Sequence, residues 1–151
     1  MALARFVERI AALGITVEVR EMGHTTHTAE DAAAALRCAV GAIVKSLLFL
    51  ADGAPLLVLA SGPNRVDTAL IAATVGSPVV MADAKTVKTV TGYSIGGVPP
   101  FGHPFGLRTL VDADLLDHQE VWAAAGAATA VFAIAPNRLV ELTAAEVVRV
   151  S

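Results

Sequence analysis

The chain has 151 residues, 55% of them hydrophobic, and a formal net charge of −3 at pH 7. This length suits one domain, residues 1–151, with a core large enough to fold alone. The longest near-apolar run, residues 123–135, falls short of the roughly 20 residues that a membrane-spanning helix needs, so no membrane partner is expected. Because no lysine- and arginine-rich run occurs, we expect no extended nucleic-acid footprint, and only a small local contact to a nucleic acid stays open.

Cysteine usage and the N-terminus indicate the compartment. A single cysteine, Cys38, excludes an internal disulfide and makes the cytoplasm the expected location. The first residues carry Arg5, Glu8 and Arg9 at a helical spacing and lack the apolar core and cleavage site of a signal peptide.

The first half of the chain alternates helical and strand patterns. Thr28, with Asp31 three residues later, is a plausible helix start. The pair Asp52-Gly53 between two apolar runs is a strong signal for a two-residue hairpin. The predicted elements are a helix at 2–13, a strand at 15–21, a helix from Thr28 to Gly41, and strands at about 43–51 and 54–61.

The second half mixes the same two patterns around an irregular segment. Asn64 and Asp83 are candidate helix caps. Residues 92–106 hold too much glycine and proline for a regular element. The predicted helices are residues 65–75, 83–92, 120–126 and 143–150, and the predicted strands are residues 77–82, 107–116 and 128–135. Together with the hairpin, this mixture favours an α+β fold with a mixed sheet over a doubly wound one.

Lys45 is the first candidate functional residue. The two-residue turn pairs Ala51 with Ala54 and therefore places Lys45 opposite Ala60. Both faces of this strand are apolar, so the ammonium group must find a partner, deprotonate or reach a cavity. Three interpretations stay open: a side chain that reaches the surface, a cation that binds phosphate or developing negative charge, and a Schiff-base lysine.

The segment GGVPPFGHPFG, residues 96–106, is the second candidate. Glycines let a ligand approach backbone N–H groups, and prolines lower the entropy lost when a loop is ordered. The alternative is an ordinary surface connection, although long loops without regular structure are often functional. No nucleotide-binding GxxxxGK[ST] or GxGxxG motif is present.

The remaining polar constellations do not predict a metal or another cofactor. His24-x-x-His27 lacks further ligands at a zinc-like spacing. Asp112, Asp114 and Asp117 lack the glycine and the distal glutamate of a calcium loop, so turn and cap roles explain them better.

Lys45 and the glycine-proline loop together resemble the YbaK/EbsC family, related to the editing domain inserted in bacterial prolyl-tRNA synthetases. The similarity spans residues 24–117, and the helix and strand pattern fits nearly the whole chain. The segments that carry it are HTTHTAEDAAAAL, AIVKSLLFL, LLVLASGPNRVD, TGYSIGGVPPFGH and LRTLVDADLL. The resemblance implies a mixed, partly barrel-like β-sheet flanked by helices.

The family resemblance also implies a reaction, hydrolysis in trans of the ester that joins a wrong amino acid to a tRNA 3′ end, with tRNA(Pro) as the expected type. Lys45 would hold the terminal adenosine or its phosphate. The loop that contains Gly96, Gly97 and Pro100 would hold the ester carbonyl, and the substrate's own 2′-hydroxyl would assist the attacking water. A prolyl-tRNA synthetase or an elongation factor is the expected protein partner.

Further residues are placed by the expected position of the amino-acid pocket, between the Lys45 strand and the loop. Thr25, Thr26, Ser94 and Ile95 are its expected lining. A further histidine of the synthetase-inserted domain has no counterpart here, and His103 is expected to stabilise the loop or contact tRNA. Two alternatives stay open: a non-catalytic tRNA-binding module on the same fold, and a Schiff-base lyase that uses Lys45.

Overall fold

The computed structural model describes residues 2–23, 28–103 and 106–151. Five α-helices lie within these ranges: α1 (Ala2–Ala12), α2 (Ala29–Leu36), α3 (Thr68–Val75), α4 (Ala84–Thr91) and α5 (Pro136–Thr143). The strands there are β1 (Val19–Glu21), β2 (Val44–Ala51), β3 (Ala54–Ser61), β4 (Val79–Met81), β5 (Arg108–Asp112), β6 (Val121–Ala124), β7 (Ala130–Ile134) and β8 (Glu146–Val148). Short 3-10 helices occupy Val40–Ala42 and Ala113–Asp117.

The strands form two sheets, which confirms the predicted α+β class. A mixed five-stranded sheet has the order β4-β2-β3-β5-β8, with β3-β5 and β5-β8 parallel. An antiparallel three-stranded sheet has the order β1-β7-β6. An isolated bridge between Ile43 and Trp122 brings the start of β2 next to β6. The region where the two sheets meet therefore lies beside Lys45.

The β2-β3 hairpin has the predicted register. Ala51 pairs with Ala54, and Lys45 pairs with Ala60. Asp52 and Gly53 both have positive φ, at 50° and 82°, as a type I′ turn requires. Because this turn matches the twist of the two strands, the Asp-Gly pair alone sets the face on which Lys45 lies.

One edge of β2 is only partly covered. Its neighbour β4 pairs with Phe49, Leu50 and Ala51, and the Ala82 N–H donates to the Leu48 carbonyl at 3.1 Å. Alternate residues of a strand turn their backbone groups to the same edge, so Ser46 directs its N–H and C=O to this side as Leu48 does. Among the residues that the structure describes, no strand pairs with Ser46 there.

Two helix caps are the ones predicted from the sequence, and two helix ends differ from the prediction. Thr28 and Asp83 cap α2 and α4 as predicted, each accepting a hydrogen bond from the N–H three residues later. Helix α3 is capped by Asp67 instead of Asn64. Helix α2 ends at Leu36 and not at Gly41, because Arg37 adopts a left-handed conformation with φ of 57°.

Three further predicted elements were wrong in type or length. Residues 120–126 are not helical, since β6 alternates buried and half-buried residues against β7. The closing helix comes earlier, as α5, and residues 146–148 form β8 beside β5, in keeping with their β-branched side chains. Of the strand expected at 15–21, only β1 forms, where it pairs with β7.

The core has one large and two smaller clusters of buried side chains. The large cluster packs Phe6 of α1 against Phe101 and Phe132, with ring centroids 6.0 and 5.5 Å apart. A second cluster, between the five-stranded sheet and α3, includes Phe49 and Ile71. Within the described ranges, none of the helices has the length and apolar character needed to cross a membrane.

Candidate functional site

A cavity of about 380 Å³ lies where the two sheets meet, within the size range of small-molecule sites. Helix α2, the open edge of β2, the turn after Tyr93 and the sheet that contains β6 form its walls. Its lining includes Thr28, Lys45, Ser46, Met81, Ile95, Gly96, Val98 and Trp122. The wall is mainly apolar, and its few polar groups come from β2, the turn and the start of α2.

Lys45 lines this cavity and is half-buried. Its Nζ donates a hydrogen bond to the backbone carbonyl of Asn64. The pKa of Lys45 is lowered, mainly because burial disfavours the charged ammonium group. The charges of Glu30 and Asp112 oppose this shift, and the charge of Arg65 adds to it. The hydrogen-bond partner that the Lys45 ammonium group needs in this buried strand is thus a backbone carbonyl oxygen.

The Asn64 carbonyl is itself held in place by a buried carboxylate. Asp112, at the end of β5, accepts hydrogen bonds from the Ser61 N–H at 2.9 Å and from Asn64 Nδ2 at 2.8 Å. It also accepts from the Asp114 N–H at 3.0 Å, where it caps the 3-10 helix. A cap role was predicted for these aspartates, and this bond confirms it for Asp112. The Asp112 carboxylate therefore fixes the chain segment on which the Lys45 ammonium group rests.

The opposite wall is a tight turn formed by residues 94–97. The Gly97 N–H donates to the Ser94 carbonyl at 3.0 Å, and Gly96 has φ of 88°. This is the positive φ that the third position of a type II turn requires, so glycine is needed there. Within the described residues, no hydrogen bond engages the N–H groups of Ile95 or Gly96. These amides are available to a bound carbonyl oxygen.

Gly97 is required for a different reason, which is space. A Cβ atom on Gly97 would lie 2.9 Å from the Gly126 carbonyl oxygen and 3.0 Å from the Ala127 Cα. Both neighbours are backbone atoms and cannot rotate away. Gly96 therefore allows the shape of the turn, and Gly97 allows its close contact with the loop between β6 and β7.

Ser46 is a polar residue of the cavity that the sequence reasoning missed. Its Oγ is enclosed and has no hydrogen-bond partner among the described residues, and its backbone faces the open strand edge. A polar residue next to Lys45 in an otherwise apolar strand was the available signal. An unpaired buried hydroxyl costs free energy, so Ser46 is a polar group that the fold leaves unsatisfied beside the cavity.

Most of the predicted site residues fall into three groups. Lys45, Ile95 and Gly96 line the same cavity, and Ile95 stands at its mouth with 60% of its surface exposed. Ser94 and Gly97 build the turn but do not line the cavity. Four residues singled out in the sequence lie outside the described ranges, namely Thr25, Thr26, His24 and His27.

Pro100 and His103 line a second cavity of about 240 Å³, next to Leu13, Ile15 and Thr143. Burial lowers the pKa of His103 to about 4, with a smaller lowering from Arg9, and the Pro99 carbonyl opposes this only in part. Neither ring nitrogen has a well-formed hydrogen bond to a described residue, and the ring packs edge-on to Tyr93 at 6.3 Å. His103 is thus neutral near pH 7.

The chain offers no metal site within the ranges 2–23, 28–103 and 106–151. No three histidine, cysteine, aspartate or glutamate residues come together there in a way that would hold a metal ion.

Comparison with known families identifies the class of protein. The family described as aminoacyl-tRNA editing domain matches residues 24–142. The chain belongs to this family, which confirms the resemblance seen in the sequence and makes the protein an aminoacyl-tRNA deacylase that acts on mischarged aminoacyl-tRNA.

Two solved structures and a curated relative are similar to this chain. A protein proposed to be a trans-editing enzyme for prolyl tRNA synthetase is 39% identical, with a TM-score of 0.95 over 99% of this chain and 96% of that one. The hypothetical protein APE2540 is 35% identical, with a TM-score of 0.88 over 97% and 98% of the two chains. The uncharacterized protein YwhH of Bacillus subtilis (strain 168) is 30% identical over 131 residues, or 86% of this chain and 83% of its own.

Proposed function

We propose that this protein, as a single editing domain over residues 1–151 in the cytoplasm, hydrolyses mischarged tRNA(Pro) in trans. The observation that carries the proposal is one cavity that has the Lys45 strand on one wall and the Gly96 turn on the other. A cationic group and free amide donors then lie on the two sides of a single ligand. Similarity to a protein proposed to edit for prolyl tRNA synthetase supports the choice of tRNA.

In the proposed reaction, a water molecule adds to the ester carbonyl and the bond from the carbonyl carbon to the ribose oxygen breaks. The proton from water ends on that ribose oxygen, which leaves a free amino acid and an uncharged tRNA. The N–H groups of Ile95 and Gly96 donate to the carbonyl oxygen as negative charge develops on it. The 2′-hydroxyl of the substrate orients the water, and Lys45 holds the terminal adenosine or its phosphate.

The cavity wall also bears on which amino acid is accepted. Val98 and Trp122 present apolar surface to the side chain, and Ser46 lies in the same wall with its hydroxyl group enclosed. Thr25 and Thr26 complete the lining in this proposal. Small amino acids with an apolar or hydroxyl-bearing side chain are the proposed substrates, with discrimination of about 10- to 200-fold per methylene.

A deacylation panel tests the proposal. Purified protein is incubated with tRNA(Pro) charged with alanine, cysteine, serine or proline, and with other tRNAs that carry the same residues. We expect rapid loss of one mischarged species while prolyl-tRNA(Pro) is spared. Absence of hydrolysis of every ester by a protein that still binds tRNA would instead indicate a non-catalytic binding module.

Lys45→Ala is the matching variant, and Lys85→Ala is its control because Lys85 is exposed on α4 and carries the same charge. We expect Lys45→Ala to lower kcat/KM about 10- to 100-fold, the value of one charge-assisted hydrogen bond, and Lys85→Ala to leave it unchanged. Equal activity of the two variants would contradict the role given to Lys45. Trapping of a carbonyl substrate by borohydride would indicate the Schiff-base alternative.

The protein partner in this proposal is a prolyl-tRNA synthetase, which releases the mischarged product near the editing protein. An elongation factor is the competing carrier of the same molecule. Addition of each one to the deacylation assay separates the two, because only the true carrier changes the rate at limiting substrate.

A further inference from the structure

A second group of cations contacts the chain just before the same loop. Arg5 and Arg9 of α1 both stack on the ring of Tyr93, with their Cζ atoms 4.9 and 5.7 Å from its centroid. Arg5 Nη2 also donates to the Gly92 carbonyl, and Arg9 Nη1 donates to the Tyr93 hydroxyl at 3.4 Å. We call Arg5, Arg9 and Tyr93 the arginine pair site.

The two cations of this site form no ion pair with a carboxylate of the described residues. Among the described residues, the ion pair found is Arg138–Glu141 on α5, and no carboxylate pairs with Arg5 or Arg9. Both arginine residues are half-buried, and like charges four residues apart on a helix repel each other. In the described ranges, Arg5 Nη1 and Arg9 Nη2 have no hydrogen-bond acceptor. Free planar donors of this kind match the oxygens of a phosphate.

The position of the site links it to the cavity. Tyr93 precedes Gly96 by three residues, so their Cα atoms are at most about 11 Å apart. The N-terminus of α1 contacts Gly126, on which Gly97 also packs, because a Cβ on Gly126 would lie 2.7 Å from the Ala2 carbonyl oxygen. The arginine pair site therefore adjoins the segment that leads into the Gly96 turn of the cavity.

We propose that the arginine pair site binds backbone phosphates of the tRNA acceptor end, one or two nucleotides before the terminal adenosine. The inference rests on the proposed tRNA substrate. It also fits the acidic composition of the chain, because two guanidinium groups give a local contact and no broad basic surface is needed. The stacking on Tyr93 holds both groups in place before RNA arrives, which lowers the entropy lost on binding.

The test measures binding of an uncharged RNA hairpin that carries the acceptor stem and the single-stranded CCA end, over a range of salt concentrations. We expect the double variant Arg5→Gln/Arg9→Gln to raise Kd about 10-fold or more. We also expect the slope of log K against log salt to become smaller by about 0.7 for each phosphate that the protein no longer neutralises. Arg138→Gln removes the same charge from α5 and serves as the matched control, with an unchanged Kd expected.

Further arms separate the outcomes. The single variant Arg9→Gln loses the stacking on Tyr93 and the long bond to its hydroxyl but keeps the Arg5 bond to the Gly92 carbonyl, so it keeps the test valid if the double variant unfolds. With 3′-O-aminoacyl-adenosine, which has no phosphate, the loss in kcat/KM should be smaller than with aminoacyl-tRNA. Equal losses on both substrates, or a Kd equal to that of Arg138→Gln, would overturn the inference. The inference would also be overturned if binding of inorganic phosphate depended on the two arginines but binding of the RNA hairpin did not.

Failure of the proposed function gives a different result. If the wild type hydrolyses no ester, the deacylation proposal fails, while the RNA-binding comparison still decides the role of Arg5 and Arg9. If the wild type does not bind the RNA hairpin, the arginine pair inference fails whatever the hydrolysis assay shows.

Discussion

Residues 94–96 and residues 97–103 belong to one loop but meet different surroundings. The outer residues are exposed at the mouth of the cavity, and the amides of Ile95 and Gly96 make no bond to a described residue. The inner residues are mostly buried, with Gly97 against the Gly126 backbone and Phe101 in the main core. The packed inner half of the loop therefore holds the exposed outer half in position.

The largest expected effect comes from the junction between the two halves. In Gly97→Ala, the added methyl group collides with the Gly126 carbonyl and the Ala127 Cα, so the turn must shift away from the loop between β6 and β7 and lose its position at the cavity. We expect kcat/KM for deacylation to fall about 100-fold, as when an oxyanion donor is lost, and the free energy of unfolding to fall by about 1–3 kcal/mol. Hydrolysis assays and urea denaturation measure the two quantities. Wild-type activity in a folded Gly97→Ala protein would contradict the proposal that the inner half of the loop positions the outer half.

A second effect concerns the inner half alone and appears at acidic pH. The pKa of His103 is lowered from 6.5 to about 4, so the unfolded chain binds a proton between these values and the folded chain does not. The stability from neutral His103 is therefore complete above pH 6.5 and is lost as the pH falls toward 4, by at most about 3 kcal/mol.

The measurement for His103 is urea denaturation at a series of pH values between 7 and 4. His103→Leu lacks the titrating group, and we expect its free energy of unfolding to change less over this interval than that of the wild type. Parallel pH profiles for the two proteins would show that the ring is not held neutral by the inner half of the loop.

The smallest expected effect concerns the outer half alone. Ile95 is 60% exposed and lines the cavity mouth, so Ile95→Ala should change the free energy of unfolding by no more than about 0.5 kcal/mol. Removal of its apolar surface from the substrate pocket should raise KM about 3- to 10-fold with little change in kcat. A large loss of stability in Ile95→Ala would mean that the outer half supports the fold after all.

Much of the architecture near the site could be predicted from local signals. The Asp52-Gly53 turn has the expected type and register, and Thr28 and Asp83 cap the expected helices. These features depend on a few adjacent residues, whose preferred dihedrals and hydrogen bonds do not need the rest of the chain. The same locality explains why Lys45 could be placed opposite Ala60 from sequence alone.

The errors occurred where distant residues decide the outcome. Residues 120–126 are rich in alanine, which favours a helix, but pairing with β7 makes β6 a strand. Residues 146–148 become β8 only because β5 offers a free edge. Ser46 was missed for the same reason, since the open edge beside it depends on where β4 stops pairing.

Local sequence is thus sufficient for the hairpin register, for most helix starts, and for the residues that carry the family resemblance. These features follow from side-chain polarity and short-range backbone preferences, which act within a few residues. The packed structure was needed to show that the carbonyl of Asn64 is the partner of Lys45, that Gly97 packs on Gly126, and that Arg5 and Arg9 share one tyrosine ring. Those contacts join segments far apart in the chain, and their geometry exists only after the two sheets and the helices have packed together.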